Sequence, residues 1–523
     1  MPKRKLLTYE AARRKRRRMS ADLTRKNPGN PFEALPWEVA TNILTLLSHR
    51  DLLRIGQVHP GWKSLLDHWL IYQGRRCVPD KWQADVQGVE GFEDKVQTVK
   101  QSIIDHSAHT KFSAGKASCA RRYQNTVPDR RLFSTNGDFV VWHEKHRIYW
   151  QNLAFKPDGS LHPIHKLRVR VAADNLEYLE VNEEGYVYYQ ICHQKLAPWE
   201  EEVYRHHVVH LPTGTRLWSK RAVPDTRFFA MGKERIYYCY IAGSGNNNRF
   251  LTARDIKSGG ELYEIPLGIN IPMNMTPVAI QRADGSEVLV AFHIASLLPN
   301  VNVYSVNGIQ IINGSDGRML QFIQTRIWGD EQHIIPHPQR PGHFAIVSHI
   351  QNSHWNVKIE KFAQNAEDGI FRSVSREWLP LGRSPGPINR VSIHPYRNLA
   401  VSIEQRRALP RVREITKHPD PPTYCETFPR DSPPIPTNWL RRGEEHEITL
   451  PPKYKHHKKR RLFLPGPLDN GPYHPELSFV GWDRVLMRSE PEQFYCLFDF
   501  RFRMPCNLGG KDHVPHVETL EIR

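Results

Sequence analysis

V-V-H-L-P-T-G-T-R-L-W, residues Val208–Trp218, has the pattern of a short strand, a polar turn with glycine and a second strand, and two later segments repeat this form. The repeats are T-A-R-D-I-K-S-G-G-E-L (Thr252–Leu262) and I-Q-I-I-N-G-S-D-G-R-M-L (Ile309–Leu320). The turn glycines are Gly214, Gly259 and Gly317, which lie 45 and 58 residues apart. A four-stranded unit that recurs about every 40–50 residues is typical of a β-propeller blade.

Short runs of β-forming residues continue from Leu132 almost to the end of the sequence. Clear examples are Phe139–Trp142, Arg147–Trp150, Tyr186–Tyr189, Arg235–Tyr238, Val288–Phe292, Phe344–Val347, Leu399–Ile403 and Phe494–Phe498. Glycine, asparagine and aspartate separate the runs, and this pattern indicates strands joined by turns. The region therefore predicts a large all-β domain, a divergent β-propeller of six to eight blades with seven favoured. An irregular pair of β-sandwiches is the alternative.

Residues 32–72 have a different pattern, with apolar residues at helical spacing. Leu35-Pro36 opens a predicted first helix, because proline in the first turn loses no hydrogen bond. Ser48-His49-Arg50-Asp51 resembles a capping box for a second short helix. A third helix follows the break at His59-Pro60-Gly61 and carries Trp62, Leu65, Leu66 and Trp69. Three short helices are too small to bury all of the apolar side chains in this segment, so we expect a partner protein to cover some of them.

The order of these residues resembles an F-box over about 45 residues. The matching features are L-P-x-E-V, I-L at Ile43-Leu44, D-L-L at Asp51–Leu53, and Trp62 and Trp69. His59-Pro60-Gly61 departs from the short polar stretch that is usual before the tryptophan. The resemblance implies a small all-α F-box of three helices that binds the Skp-family adaptor, and through it cullin. The adaptor-binding residues it implies are Leu35, Pro36, Glu38, Val39, Ile43, Leu44, Leu47, Leu52, Leu53, Val58, Trp62, Leu65 and Trp69.

Composition divides the chain into six predicted segments. They are a basic disordered tail (1–28), the F-box (29–75), a helical connector (76–130), propeller blades (131–404), a disordered proline-rich basic insertion (405–467) and closing propeller strands (468–515). The connector contains a predicted amphipathic helix, Glu93–His106. Proline removes donors from a β-ladder, so the insertion is not expected to form continuous sheet.

The net charge of +18 is concentrated in two short stretches. Residues 1–26 carry eleven Lys and Arg against two acids, and Lys453–Arg461 adds six positive charges. The rest of the chain is nearly neutral, so a nucleic-acid-binding body is not indicated and only weak contact through the tails is expected. The nuclear-import candidates are Lys3, Arg4, Lys5, Arg13, Arg14, Lys15, Arg16, Arg17 and Arg18. We therefore expect an intracellular protein, with the nucleus favoured and the cytoplasm as the alternative.

Signals for membranes, disulfides, metals and catalysis are weak. No apolar stretch predicts a membrane span or secretory leader, and seven scattered cysteines without a C-x-x-C pair favour reduced thiols. Gly382–Gly386 has the spacing G-x-S-x-G, but Pro385 lacks the N–H that an oxyanion hole needs. His206 and His210 share a face of a predicted strand without a carboxylate or thiolate to complete a metal site. We therefore expect no enzyme activity, no cofactor and no metal.

The leading hypothesis is a non-catalytic, substrate-recruiting adaptor of an SCF-type (Skp–cullin–F-box) E3 ubiquitin ligase. The resemblance implies that the F-box binds the adaptor and the propeller binds an unknown protein target. Two alternatives remain open. One is an F-box scaffold that acts outside ubiquitination, and the other is a nuclear, nucleic-acid-associated propeller.

Overall fold

The computed structural model of the chain describes 22 ranges between residues 35 and 501. They are 35–56, 58–74, 78–79, 86, 89–124, 132–144, 147–154, 162–170, 176–193, 203–221, 226–241, 249–267, 277–294, 306–327, 331–351, 355–382, 390–397, 399–403, 411–414, 445–447, 476–489 and 494–501. The chain divides into two compact units, and the boundary lies between Thr110 and Lys111. The first is helical in its described residues and the second is built mainly of strands.

The helical unit contains the three helices that the sequence predicts and most of a fourth. They are α1 (Trp37–Leu46), α2 (His49–Ile55), α3 (Pro60–Tyr72) and α4 (Phe92–Ser113). Their buried side chains form one core, which includes Leu44, Leu52, Leu66, Trp69 and Val99. The predicted helix in the connector is therefore confirmed, although it is longer than Glu93–His106. Lys100 ties α4 to α3 through a 2.7 Å ion pair with the buried carboxylate of Asp67.

The strands form seven four-stranded antiparallel sheets in the described residues. Sheet 1 holds β2 (Phe133–Asn136), β3 (Phe139–Glu144), β4 (Arg147–Asn152) and β5 (Ile164–Arg170). Sheet 2 holds β6 (Leu176–Val181), β7 (Tyr186–His193), β8 (Val203–His210) and β9 (Thr215–Arg221). Sheet 3 holds β10 (Arg227–Met231), β11 (Arg235–Ile241), β12 (Arg249–Asp255) and β13 (Glu261–Leu267). Sheet 4 holds β14 (Val278–Gln281), β15 (Glu287–Ile294), β16 (Val306–Asn313) and β17 (Met319–Ile327).

The last three sheets complete the ring. Sheet 5 holds β18 (Glu331–Pro336), β19 (His343–Gln351), β20 (Trp355–Gln364) and β21 (Phe371–Gly382). Sheet 6 holds β22 (Arg390–His394), β23 (Leu399–Ile403), β24 (Arg411–Glu414) and β25 (Glu445–Glu447). Sheet 7 holds β26 (Glu476–Val480), β27 (Arg484–Ser489), β28 (Phe494–Asp499) and β1 (Cys119–Gln124). This arrangement is a β-propeller, so the predicted fold class is confirmed.

The middle strands are buried on both faces because each sheet packs between two others. In β15, Val288, Val290 and Phe292 pack with residues of sheet 5. The alternate residues Leu289 and Ala291 pack with sheet 3. Both faces therefore require apolar side chains, which explains why the sequence of β15 is a continuous apolar run and not an alternating one.

Two of the predicted segment boundaries are wrong. β1 lies inside residues 76–130, which the sequence analysis assigns to a helical connector, and it pairs antiparallel with β28. β24 and β25 lie inside the insertion 405–467 and pair with each other in sheet 6. The propeller thus draws strands from both segments. The rest of the insertion and the basic tail lie outside the described residues.

The turn glycines behave as the repeat predicts. Gly214, Gly259 and Gly317 lie in the turns between the third and fourth strands of sheets 2, 3 and 4, with φ values of +66°, +67° and +75°. Residues with a side chain rarely adopt these values, so glycine is the residue that suits the turn. The Asn-Gly and Glu-Gly turns at Gly137 and Gly185 instead join first and second strands.

Candidate functional site

The first helix of the F-box-like segment exposes several large apolar side chains. Trp37 and Val39 are 47% and 42% exposed at its beginning, and Leu46 is 86% exposed at its end. Leu35 and Val58, outside the helices, are also exposed. Solvent-exposed tryptophan and leucine on one short segment are typical of a surface that a partner protein covers.

The same helices bury a second set of apolar residues. Leu44, Leu52, Leu53 and Trp69 are at most 4% exposed. Leu52 and Trp69 pack in the common core of the helical unit. These side chains hold the helices together, so they support the exposed set instead of forming the surface.

The structure divides the predicted adaptor-binding residues into three groups. The exposed group is Leu35, Pro36, Glu38, Val39 and Val58. The half-buried group is Ile43, Leu47, Trp62 and Leu65. The buried group is Leu44, Leu52, Leu53 and Trp69. The nuclear-import candidates between Lys3 and Arg18 lie outside the described residues.

Local sequence explains how the short helices begin. Ser48 caps α2, since its hydroxyl accepts the backbone N–H of Asp51 and donates to the Asp51 carboxylate at 2.7 Å. Pro60 is the first residue of α3, where its fixed φ suits a helix and its missing N–H costs nothing. His59 precedes it, and its ring accepts the N–H of Gly61 at 3.1 Å. The departure from the F-box pattern at His59-Pro60-Gly61 is therefore a helix start.

Sequence reasoning missed Trp37 and Leu46 on the exposed surface. Trp37 follows Pro36 directly, and neither residue is in the predicted adaptor-binding set. The signal for Trp37 was its position, since the first turn of a helix that starts after proline has few neighbours to bury it. Tyr72, at the end of α3, is 72% exposed and was likewise not singled out.

A cavity lies at the centre of the propeller. The first strands of the sheets and the turns that follow them surround a volume of about 1770 Å³. Gln332, on β18, lines this cavity and is 6% exposed. Neither the Oε1 nor the Nε2 atom of its amide has a hydrogen-bond partner in the described part of the chain. A buried amide without hydrogen-bond partners lowers the stability of the fold, so Gln332 is a polar residue at a position where an apolar one would be more stable.

At least one polar contact joins neighbouring sheets at each of the seven junctions between described sheets. In order from sheet 1, the contacts are Ser134 to Glu180, Asn182 to the Gly232 carbonyl, Tyr237 to Glu287, the Gly342 N–H to the Gln281 carbonyl, Tyr396 to the Ile335 carbonyl, Arg397 to Asp483, and Arg484 to Asp138. These contacts fix the mutual position of the turns. The mouth of the cavity is therefore a preorganised surface.

Glu287 makes the most elaborate of these contacts. Its carboxylate accepts the backbone N–H groups of Lys233 at 2.8 Å and Glu234 at 3.3 Å. Burial raises the pKa of Glu287, and the hydrogen bond from the Tyr237 hydroxyl opposes this effect. A Cβ atom on Gly232 would lie 2.0 Å from the carboxylate, so a larger residue there would displace Glu287 from its present position.

The histidines weighed as metal ligands have other neighbours. His206 Nδ1 lies 3.0 Å from the Tyr188 hydroxyl, and burial lowers the pKa of His206 to about 3. His210 Nδ1 lies 2.9 Å from the Thr213 hydroxyl. Within the ranges that the structure describes, no three His, Cys, Asp or Glu residues converge as metal ligands.

Comparison with known proteins identifies the helical segment. The family model of the F-box domain matches residues 32–73. The chain therefore carries an F-box domain, which is followed by a β-propeller. A search of curated proteins finds no match to the sequence.

Solved structures similar to the chain include propellers of distant sequence. The mitotic checkpoint complex structure shares 8% identity, with 72% of this chain and 93% of that chain covered and a TM-score of 0.37. The β-propeller domain of Cps50 (Swd1) from Myceliophteria thermophila shares 10% identity, with 73% and 96% covered and a TM-score of 0.34. The propeller domain of the Trilobed protease from Pyrococcus furiosus shares 10% identity, with 71% and 91% covered and a TM-score of 0.36. The fold assignment rests on the sheet topology of this chain itself.

An F-box domain joined to a β-propeller is a typical non-catalytic adaptor architecture. Among the described residues, no helix has the length and apolar content needed to cross a membrane.

Proposed function

We propose that the chain is a substrate-recruiting adaptor of an SCF-type ubiquitin ligase. The F-box binds a Skp-family adaptor, and the propeller holds a protein target. The observation that carries the proposal is the exposure of Trp37, Val39 and Leu46 on the segment that matches the F-box domain. The mechanism is proximity, since a held target reacts at a raised effective concentration without chemistry by this chain.

The division of the F-box residues into exposed and buried sets supports this assignment. The buried set already forms a closed core, so no rearrangement of the helices is needed to present Trp37 and Leu46. A preformed apolar surface binds with a smaller entropy cost than one that must be assembled. Binding energy at such surfaces concentrates in a few large side chains, tryptophan above all.

The test is adaptor binding by the full-length chain with Trp37→Ala and Leu46→Ala, singly and together. Each change should weaken binding to a purified Skp-family adaptor by about tenfold, and the pair by about a hundredfold. Phe92→Ala is the matched control, because Phe92 is 43% exposed and lies outside residues 32–73. Wild-type affinity in the double variant would reject the proposal.

Cullin binding distinguishes the ligase subunit from the scaffold alternative. A ligase subunit should retain cullin when the adaptor is added, and a scaffold that acts outside ubiquitination should stop at the adaptor. The nucleic-acid alternative predicts salt-dependent retention on DNA that disappears when the basic tail is deleted.

Nuclear entry is a separate part of the proposal. It is supported by the clusters Lys3–Lys5 and Arg13–Arg18. Residues 1–28 fused to a cytoplasmic reporter should move it into the nucleus. A reporter that remains evenly distributed would count against this signal.

A further inference from the structure

The seven outer strands of the propeller differ in how their free edges are protected. Because the first strands line the central cavity, the outer strands are β1, β5, β9, β13, β17, β21 and β25. An outer strand presents unpaired backbone groups, and charges or proline usually prevent another strand from pairing there. In six of these strands, no more than three consecutive residues lack a charge or proline.

β17 is the exception among the described outer strands. Its sequence M-L-Q-F-I-Q-T-R-I has seven uncharged residues, Met319–Thr325, before the first charge at Arg326. Met319 is 55% exposed, Leu320 39% and Phe322 43%. β17 thus presents a long uncharged and largely apolar run at its free edge, which is the pattern that permits edge-to-edge pairing.

Exposed apolar side chains of the adjacent sheets surround this strand. Every large apolar residue that is clearly exposed in the described propeller belongs to sheets 3, 4 and 5: Leu262, Met319, Leu320, Phe322, Ile370 and Val374. Their combined exposed area is on the order of 500 Å². We call these six residues the edge patch.

Hydrogen bonds join β17 and the turn before it to the two neighbouring sheets. The Gln321 side chain donates to the Phe371 carbonyl at 2.8 Å and accepts the Phe371 N–H at 2.9 Å. These two bonds hold β17 beside the start of β21. On the other side, the Tyr263 hydroxyl donates to the Asn313 carbonyl at 3.4 Å, so β13 adjoins the turn before β17.

We propose that β17 pairs with β17 of a second copy of this chain, so that the propellers form a two-fold dimer. An antiparallel pairing centred on Gln321 places Leu320 opposite Phe322 of the second copy. The one charged residue of β17, Arg326, lies five positions from this centre, so no like charges of the two strands face each other. β9 offers no such register, because its charges, on Arg216, Lys220 and Arg221, are all positive.

The area of the edge patch agrees with a weak self-association. Full burial of the edge patch in two copies removes about 1,000 Å² from solvent, which reaches the lower limit for a specific interface. The shared ladder of backbone hydrogen bonds and the polar residues at its rim add to this area. In a two-fold dimer both copies contribute the same strand, so a single unprotected edge on each chain is enough to form the interface.

The test is sedimentation equilibrium of the full-length chain from about 1 to 100 μM. The wild-type chain should dimerise within this range. Leu320→Lys places two positive charges across the two-fold axis and should raise the dissociation constant about a hundredfold. The matched control is Thr215→Lys, an exposed position on β9, which should leave the dimer unchanged.

The melting temperature of each variant confirms that the propeller is intact. If Leu320→Lys lowers it, Met319→Lys serves instead, since Met319 is more exposed. A wild-type chain that remains monomeric at about 100 μM would overturn the proposal and leave β17 for a strand of another protein. A dimer that persists in both Leu320→Lys and Met319→Lys would overturn the proposal as well.

Discussion

The Tyr237 hydroxyl donates a 2.8 Å hydrogen bond to the Glu287 carboxylate, which belongs to the next sheet of the propeller. Glu287 is 3% exposed and also accepts two backbone N–H groups from the turn after β10. One carboxylate thus satisfies three donors of a sheet to which it does not belong. Around the cavity, Glu287 therefore joins sheets 3 and 4 through three hydrogen bonds.

Replacing this carboxylate should weaken the propeller. Glu287→Ala leaves the Tyr237 hydroxyl and two backbone N–H groups without their acceptor, and should lower the free energy of unfolding by about 3 kcal/mol. Tyr237→Phe removes one donor and should cost about 1 kcal/mol. Urea denaturation followed by tryptophan fluorescence measures both. If neither variant changes the free energy of unfolding, water satisfies these donors when the carboxylate is absent.

Glu180 gives stability a pH dependence. Burial raises its pKa to about 7 from the usual 4.5, while the Ser134 hydroxyl donates to its carboxylate at 2.8 Å. The folded chain therefore binds this proton more tightly than the unfolded chain, and stability falls as the pH rises from about 4.5 to about 7.

Glu180→Gln removes this loss because the amide stays uncharged. The variant should be more stable than wild type by on the order of 1 kcal/mol at about pH 8, and equal to it at about pH 5. Melting curves at the two pH values provide the measurement. A constant difference between the two proteins would refute the assignment to Glu180.

Gln332 should be a destabilising residue. Its buried amide lacks partners among the described residues, so Gln332→Met, which keeps a similar shape, should raise the free energy of unfolding by about 1–2 kcal/mol. Gln332→Glu, which would add a buried charge, should instead lower it. A stability unchanged in both variants would mean that the amide is solvated.

The two sets of F-box residues should respond differently to truncation. Leu52→Ala removes a core side chain that is 1% exposed and should destabilise the helical unit by about 2–5 kcal/mol. Leu46→Ala, at 86% exposure, should change its stability by less than about 0.5 kcal/mol. Circular dichroism at a helical wavelength compares the two. A similar loss in both variants would contradict the division into buried and exposed sets.

Local sequence patterns predicted most of the strands, while the strands that were missed form only through pairing with residues distant in sequence. Glycine turns and β-forming runs predicted the four-stranded repeats, since both act over a few residues. β1 was missed because Cys119–Gln124 contains two arginines and pairs with a strand more than 370 residues later. β24 and β25 are short and charged, and only their pairing in sheet 6 makes them strands.

The candidate site was predicted less completely than the fold. Helical spacing of apolar residues predicted the helix that contains Leu44 and Leu46. The spacing did not show which of these two side chains contacts α3, and the structure buries Leu44 while exposing Leu46. The edge patch had no sequence signal of its own, because an uncharged strand reads the same whether its edge is paired or free.

Sheet 7 has a consequence for synthesis on the ribosome. Its outermost strand, β1, is translated before every other strand, and its partner β28 (Phe494–Asp499) is translated last. Six sheets can therefore form during translation, but β1 waits for its neighbour until nearly the whole chain has emerged. A chain that ends before residue 494 lacks β28, so β1 has no partner strand and sheet 7 keeps only β26 and β27, which leaves more apolar surface open to chaperones and proteases.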